Sequence, residues 1–205
     1  MADGTLELPG LPIKLRREGT PSGQAPETAA GAVRLRAAPR SDLFVDPLGR
    51  PPQLDAERFV GTVSGNFQFS ARVEVDFRST FDAGVLLCWI DDHNWFKLCA
   101  ELDPAGTPRV VSVVTRGHSD DANAWPVTGA AVFLRLSRME AAYALHASAD
   151  GIRWELVRQF SLPGPAGRQV EVGLMAQSPT GDGAAATFSD VKLTAVRLRA
   201  LRDGS

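Results

Sequence analysis

AGVLLCWIDDHNWFKLCAEL, residues 83–102, sets two apolar runs on either side of the polar tetrapeptide Asp91-Asp92-His93-Asn94. Each run has the length of a strand, is rich in Val, Leu, Trp and Phe, and is bounded by turn-forming residues, which is the pattern of a β-hairpin. With residues 91–94 as the turn, Ile90 faces Trp95, Trp89 faces Phe96 and Cys88 faces Lys97. Side chains alternate along a strand, so Val85, Leu87, Trp89, Phe96, Leu98 and Ala100 share an apolar face expected to be core. Leu86, Cys88, Ile90, Trp95, Lys97, Cys99 and Glu101 share the other, expected to be exposed or to form a groove. On that face Cys88 and Cys99 sit diagonally, which argues against a disulfide, and neither belongs to a zinc-spaced cluster.

The rest of the chain repeats this grammar. Strands are expected at 32–37, 67–77, 83–90, 95–102, 109–116, 130–138, 142–148, 154–160, 169–177 and 184–198, separated by turn chemistry such as DPAGTP, SADG and SPTGDG. No helical period persists, so short connections must join antiparallel neighbours, and this many strands imply two packed sheets. One all-β domain spanning 1–205 is expected, with a mobile loop at about 18–31, where Gly, Pro, Ala and Thr replace large apolar residues.

Charge narrows the partners. The 22 lysines and arginines are offset by 24 acids, leaving a formal charge of −2 and no basic excess for a nucleic-acid backbone. No apolar stretch approaches the length of a membrane span or a signal peptide, which predicts a soluble, cytoplasmic protein.

Parity places Val111 and Val113, then Val132, Leu134 and Leu136, then Val170, Val172, Leu174 and Ala176 inward. If these strands share a sheet, its outer surface gathers Trp95, Lys97, Glu101, Arg116, Arg135, Met175 and Gln177. Aromatic and charged groups side by side suit a polar ligand such as a sugar or an organic acid. Ser112, His118 and Asp120 join the candidate ligand-binding set.

Chemistry is less well represented. His93 falls in the turn, His146 in the strand AYALHAS, and His118 in a loop beside SDD without a nucleophile elbow. HSDDANA at 118–124 has acids close to a histidine but matches no EF-hand or zinc pattern, so no metal or other cofactor is expected.

In AGVLLCWIDDHNWFKLCAE followed by SVVTRGHSDD, the chain resembles the regulation of enolase protein 1 family, a group of largely unknown function. Gly84, Asp91, Asn94, Trp95, Lys97, Glu101, Ser112, Val113, Val114, Thr115, Ser119 and Asp120 carry the likeness, which SDLFVDP, VSGNFQF and VGLMAQSP extend over about 31–195. Arg116, His118 and Asp121 depart from it. The resemblance implies an antiparallel jelly roll of the concanavalin A-like lectin/glucanase type and reaches, more weakly, the accessory sandwiches of some β-xylosidases. Glucanases of that fold line up three carboxylates on one strand. Here EVDF supplies only Glu74 and Asp76, with Arg78 and Ser79 where the next acid would stand, so both are read as outward charges.

The expected function is therefore a non-catalytic binding or regulatory β-sandwich that takes a small polar ligand or glycan on the concave sheet face, as monomer or homodimer. Its alternatives are a sugar-active enzyme using Glu101 or Asp120 as acid/base with His118 nearby, and a protein-interaction module using an edge strand.

Overall fold

The computed structural model describes residues 4–164 and 167–205. Among them the strands run, in order, β1 (Thr5–Leu6), β2 (Leu15–Glu18), β3 (Glu27–Ala29), β4 (Ala32–Arg36), β5 (Leu43–Phe44), β6 (Gln53–Leu54), β7 (Arg58–Val63), β8 (Phe67–Asp76), β9 (Ala83–Asp91), β10 (Asn94–Leu102), β11 (Pro108–Arg116), β12 (His118–Pro126), β13 (Ala131–Met139), β14 (Ala142–Ser148), β15 (Glu155–Ser161), β16 (Val170–Gln177) and β17 (Ala185–Thr194). The first sheet has the order β1-β2-β7-β16-β9-β10-β11-β12, and the second β15-β14-β13-β8-β17-β4-β3. β5 and β6 form a separate two-stranded ribbon. No described helix is long and apolar enough to cross a membrane.

All ten strands read from the sequence form, as β4, β8 to β11 and β13 to β17, and the architecture is the expected antiparallel sandwich. Short β1, β2, β3, β5 and β6, together with β7, are additions. Within the 18–31 segment, β3 pairs with β4, Thr20 N–H donates to Asp55 C=O and Ser22 N–H donates to the Glu57 carboxylate. HSDDANAWP is a strand rather than a loop: β12 closes the edge of the first sheet, where most of its polar side chains stay in water and blunt the edge.

The main core lies between the sheets, with Phe67, Phe69, Leu86, Phe96, Leu98, Leu134, Leu136, Leu174 and Phe188 fully or almost fully buried. Burying each such side chain stabilises the fold by about 1.5–3 kcal/mol. Gly84 permits the sheets to meet, since a Cβ there would lie 2.6 Å from Val73 Cγ1 and 3.0 Å from Ala186 Cβ in the opposite sheet.

The hairpin register differs from the expected one. Asn94 pairs with Asp91, but Trp95 then pairs with Trp89, and the irregularity between Asn94 and Trp95 shifts every later rung by one. Asp91 causes the tight turn, since its Oδ1 accepts from His93 N–H at 3.0 Å and from Asn94 Nδ2 at 2.9 Å. The slip leaves β10 with its expected faces and inverts β9, because side-chain period is two. Leu86 and Cys88 enter the main core, while Val85, Leu87 and Trp89 join Trp95 and Cys99 outside it. Both cysteines are free and buried, on opposite faces of the sheet. β11 is inverted too: Val110 and Val114 pack in the core, and Val111 and Val113 face outward.

That outer surface is itself covered. Residues 41–57 form a strap whose Leu43, Val45 and Ala56 pack on Val60, Ala83, Val85, Leu87, Trp95, Val113 and Met175. One end is held by Ser178 N–H donating to Ser41 C=O at 3.1 Å. Farther along, Val45 N–H donates to Ser119 Oγ at 2.9 Å and Ser119 N–H returns a bond to Val45 C=O at 2.8 Å. The first sheet is thus a middle layer buried on both faces. The second sheet is capped by the C-terminal segment, where Arg135 Nη2 donates to Gly204 C=O and His146 Nε2 contacts Leu201 C=O at 2.8 Å. His146, expected on a strand surface, is consequently buried.

Candidate functional site

Strap and sheet do not close everywhere. Between them lies a pocket of about 430 Å³, lined by Asp42, Phe44, Asp46 and Arg50 of the strap, Phe81 of the β8–β9 connection, Lys97 and Glu101 of β10, Val111 and Val113 of β11, Asp121 of β12 and Gln177 of β16. Register explains the convergence. Leu87, Lys97, Val113 and Asp121 occupy one rung across four strands, and Gln177, Ala83 and Glu101 occupy another, with all these side chains on the outer face. Ala83 offers only a methyl group between Gln177 and Glu101, which leaves room above it.

Lys97 is the buried anchor, with 1% of its surface exposed. A buried cation is costly unless paired and hydrogen-bonded. Its Nζ donates to Gln177 Oε1 at 2.7 Å and to Asp42 Oδ1 at 3.0 Å. Burial alone would pull this ammonium's pKa down, yet the attraction of Asp42 and other nearby acidic groups carries it above the usual lysine range. An ammonium has three donors, so one remains for the pocket. Gln177 is fixed from its other end, where Nε2 donates to Phe81 C=O at 3.3 Å.

Glu101 shares the face of Lys97 but makes no hydrogen bond among the described residues. Burial pushes its carboxyl up to about 7, Lys97 opposes the rise, and the like charges of Asp42 and Asp121 add to it. Phe81, at the mouth, is 38% exposed and adopts φ +69°. A bulky side chain in the left-handed region costs about 1–3 kcal/mol. Its N–H donates to Leu102 C=O at 2.8 Å, and next to it the buried Asp82 carboxylate accepts from Arg78 N–H, Ser79 N–H and Ser178 Oγ.

Of the residues singled out in the sequence, Lys97, Glu101 and Gln177 meet in this pocket. Trp95 lies on the same face but fully beneath the strap, stacked on Trp89 at 5.9 Å between ring centroids. Ser112 points into the sandwich, because β11 is inverted relative to the expected parity. Arg116 and the exposed His118 flank Gly117 at the far end of the β11–β12 hairpin. Asp120 faces away from Asp121 and binds Arg158 Nη2 of the second sheet at 2.9 Å. Arg135 belongs to the second sheet, 4.1 Å above the Trp154 ring, so the expected single ledge is split between two sheets. His93 is exposed in the turn, and Glu74 and Asp76 lie with Arg72, Arg34 and Arg78 on the second sheet. Sequence reasoning missed Asp42, Phe44, Asp46, Arg50 and Phe81 as lining residues, although SDLFVDP stood out as a motif and pointed at the strap.

The arrangement combines a neutralised buried cation, hydrogen-bonding carboxylates and two aromatic rings around a space for a small molecule, which is the composition of a polar-ligand site. Comparison with known proteins agrees with the fold and family read from the chain. Residues 20–196 match the family described as Protein of unknown function (DUF1349). The chain is 33% identical over 176 residues to Regulation of enolase protein 1 of Saccharomyces cerevisiae, covering 85% of this chain and 87% of that protein. It superposes on the crystal structure of a functionally unknown protein from Saccharomyces cerevisiae with a TM-score of 0.80 and 25% identity, covering 89% of this chain and 96% of the other. A GH43 protein from Bacillus licheniformis shares the fold at a TM-score of 0.67 and 16% identity, over 95% of this chain but 39% of its own.

Proposed function

The chain belongs to the DUF1349 family of proteins of unknown function, and from that premise we propose that it is a binding protein without catalytic turnover. Its ligand is a small polyhydroxylated molecule of the size of one or two sugar rings, held beneath the strap. One observation carries this reading. Glu101 is a half-buried carboxyl with no hydrogen-bond partner among the described residues, and it lines the same cavity as the Lys97–Asp42–Gln177 network. Hydroxyl groups would donate to Glu101 and accept from the third N–H of Lys97, and a sugar ring would pack on Phe44 or Phe81. The regulation named in the yeast relative is a property of that protein; here it suggests that ligand occupancy, rather than turnover, is the output.

A second reading is favoured by the same carboxyl. A group poised near 7 is suited to general acid/base catalysis, and Asp42 and Asp121 stand in the same pocket. A sugar-active enzyme would then use Glu101, not Asp120, as its acid.

A thermal-shift screen of monosaccharides, short oligosaccharides and polyols, followed by calorimetry and product analysis, separates the readings. Binding without conversion, weakened about tenfold or more in Glu101→Gln, supports the binding protein. Conversion that stops in the same variant replaces it with the enzyme.

A further inference from the structure

We infer that the ligand of this pocket carries a positive charge, as an amine-bearing polyol of the amino-sugar class does, with its ammonium group seated beside Glu101 in a cavity that also holds the unpaired Asp121. The inference deepens the binding reading and rests on it.

Charge accounting inside the cavity leads to it. Six ionisable side chains line the space: Asp42, Asp46, Arg50, Lys97, Glu101 and Asp121. Lys97 is taken by Asp42 at 3.0 Å and Arg50 by Asp46 at 3.2 Å. Glu101 and Asp121 are left without an ion pair among the described residues; they face the cavity from separate rungs of β10 and β12, and the charge of Asp121 adds to the rise of the Glu101 carboxyl. An anionic ligand would be placed beside two unpaired carboxylates, and like-charge juxtaposition is strongly penalised in a partly desolvated site. A neutral ligand would satisfy hydrogen bonds but leave the repulsion in place. An ammonium group offsets it, donates to Glu101 in a charge-assisted bond, and lies in a cavity lined by the aromatic rings of Phe44 and Phe81, a setting that favours a cation.

The test uses matched triplets in which one skeleton carries an amine, a hydroxyl or a carboxylate, for example D-glucosamine, D-glucose and D-glucuronate, with equivalent triplets on two further polyol skeletons. Calorimetry on the full chain at pH 7 is expected to show the amine binding at least tenfold more tightly than the alcohol of its triplet, and the acid more weakly still. Enthalpies in buffers of different ionisation heat should reveal release of a fraction of a proton per amine bound, as Glu101 ionises. Glu101→Gln should weaken the alcohol about tenfold and the amine by a clearly larger factor, and Asp121→Asn should remove most of the amine's advantage; Asp121 is exposed on the edge strand, so that variant keeps the fold. If the alcohol or the acid binds as tightly as the amine, the charge inference is overturned while the pocket reading stands. If no member of any triplet binds, both are overturned.

Discussion

Lys97 Nζ lies 3.0 Å from Asp42 Oδ1, and this pair joins the strap to the sheet it covers. Lys97 comes from the centre of β10, Asp42 from a segment 55 residues earlier, and both are largely out of water. Pairing across such a distance in sequence makes the strap part of the site rather than a connection that passes over it.

Lys97→Met is expected to lower stability by about 3–5 kcal/mol, because it strands the Asp42 carboxylate in a desolvated place. The double variant Lys97→Met/Asp42→Leu should recover most of that loss. Urea denaturation of wild type, both single variants and the double variant measures the coupling. Additive losses would show that the pair does not hold the strap.

Phe81→Gly sets two effects against each other. Releasing a left-handed aromatic returns about 1–3 kcal/mol, and removing a ring that is 38% exposed loses part of its packing. Stability should therefore stay within about 1 kcal/mol of wild type while ligand affinity falls several-fold. A large loss in melting temperature would contradict the account of the strain.

The Glu101 carboxyl, at about 7 when folded, lies above its ordinary value near 4.5. A raised acid means that the folded state binds more protons than the unfolded state between those values, so this group lowers stability as pH climbs from about 4.5 to 7. Below that window it has no effect, and above it the full penalty applies. Glu101→Gln removes that penalty and should be the more stable protein at pH 8, by on the order of 2 kcal/mol, with the advantage fading toward pH 4. Parallel chemical denaturation across pH checks the divergence; curves that stay the same distance apart would refute it.

Ser119→Ala deletes the acceptor of Val45 N–H and the hydroxyl partner of Thr115 Oγ1, at 2.9 Å. A buried donor left unsatisfied costs about 1–3 kcal/mol. Hydrogen exchange should show faster exchange at the Val45 amide and throughout 43–45, with the β10–β11 amides unchanged. Equal acceleration in β10 would mean that the strap and sheet open together.

Much of the fold was legible because β-period and turn chemistry are local. All the expected strands formed, and the inward faces assigned to β13 and β16 were those observed. β9 and β11 were misassigned for a physical reason. A strand covered on both faces is apolar on both, so in AGVLLCWI and RVVSVV alternation holds no information about direction. Register had to decide, and register turned on whether Asp91 closes the hairpin in two residues or four. For β10, the polar Lys97 and Glu101 broke the ambiguity, which is why these two survive in the site and Ser112 does not. Asp42 and Phe81 escaped notice because their roles arise from contacts made far away in sequence: with Lys97 for the first, with Gln177 and Leu102 for the second.

The left-handed backbone of Phe81 also makes this position informative across generations. Any lineage in which the pocket has lost its purpose can exchange the aromatic for glycine or asparagine at almost no net cost, since relaxing the chain offsets the packing lost. Neutral drift at residue 81 is therefore open to the residues that the left-handed region tolerates. An aromatic ring kept there, against that drift, marks a descendant in which the pocket still earns its keep, and a glycine marks one where only the sandwich has been inherited.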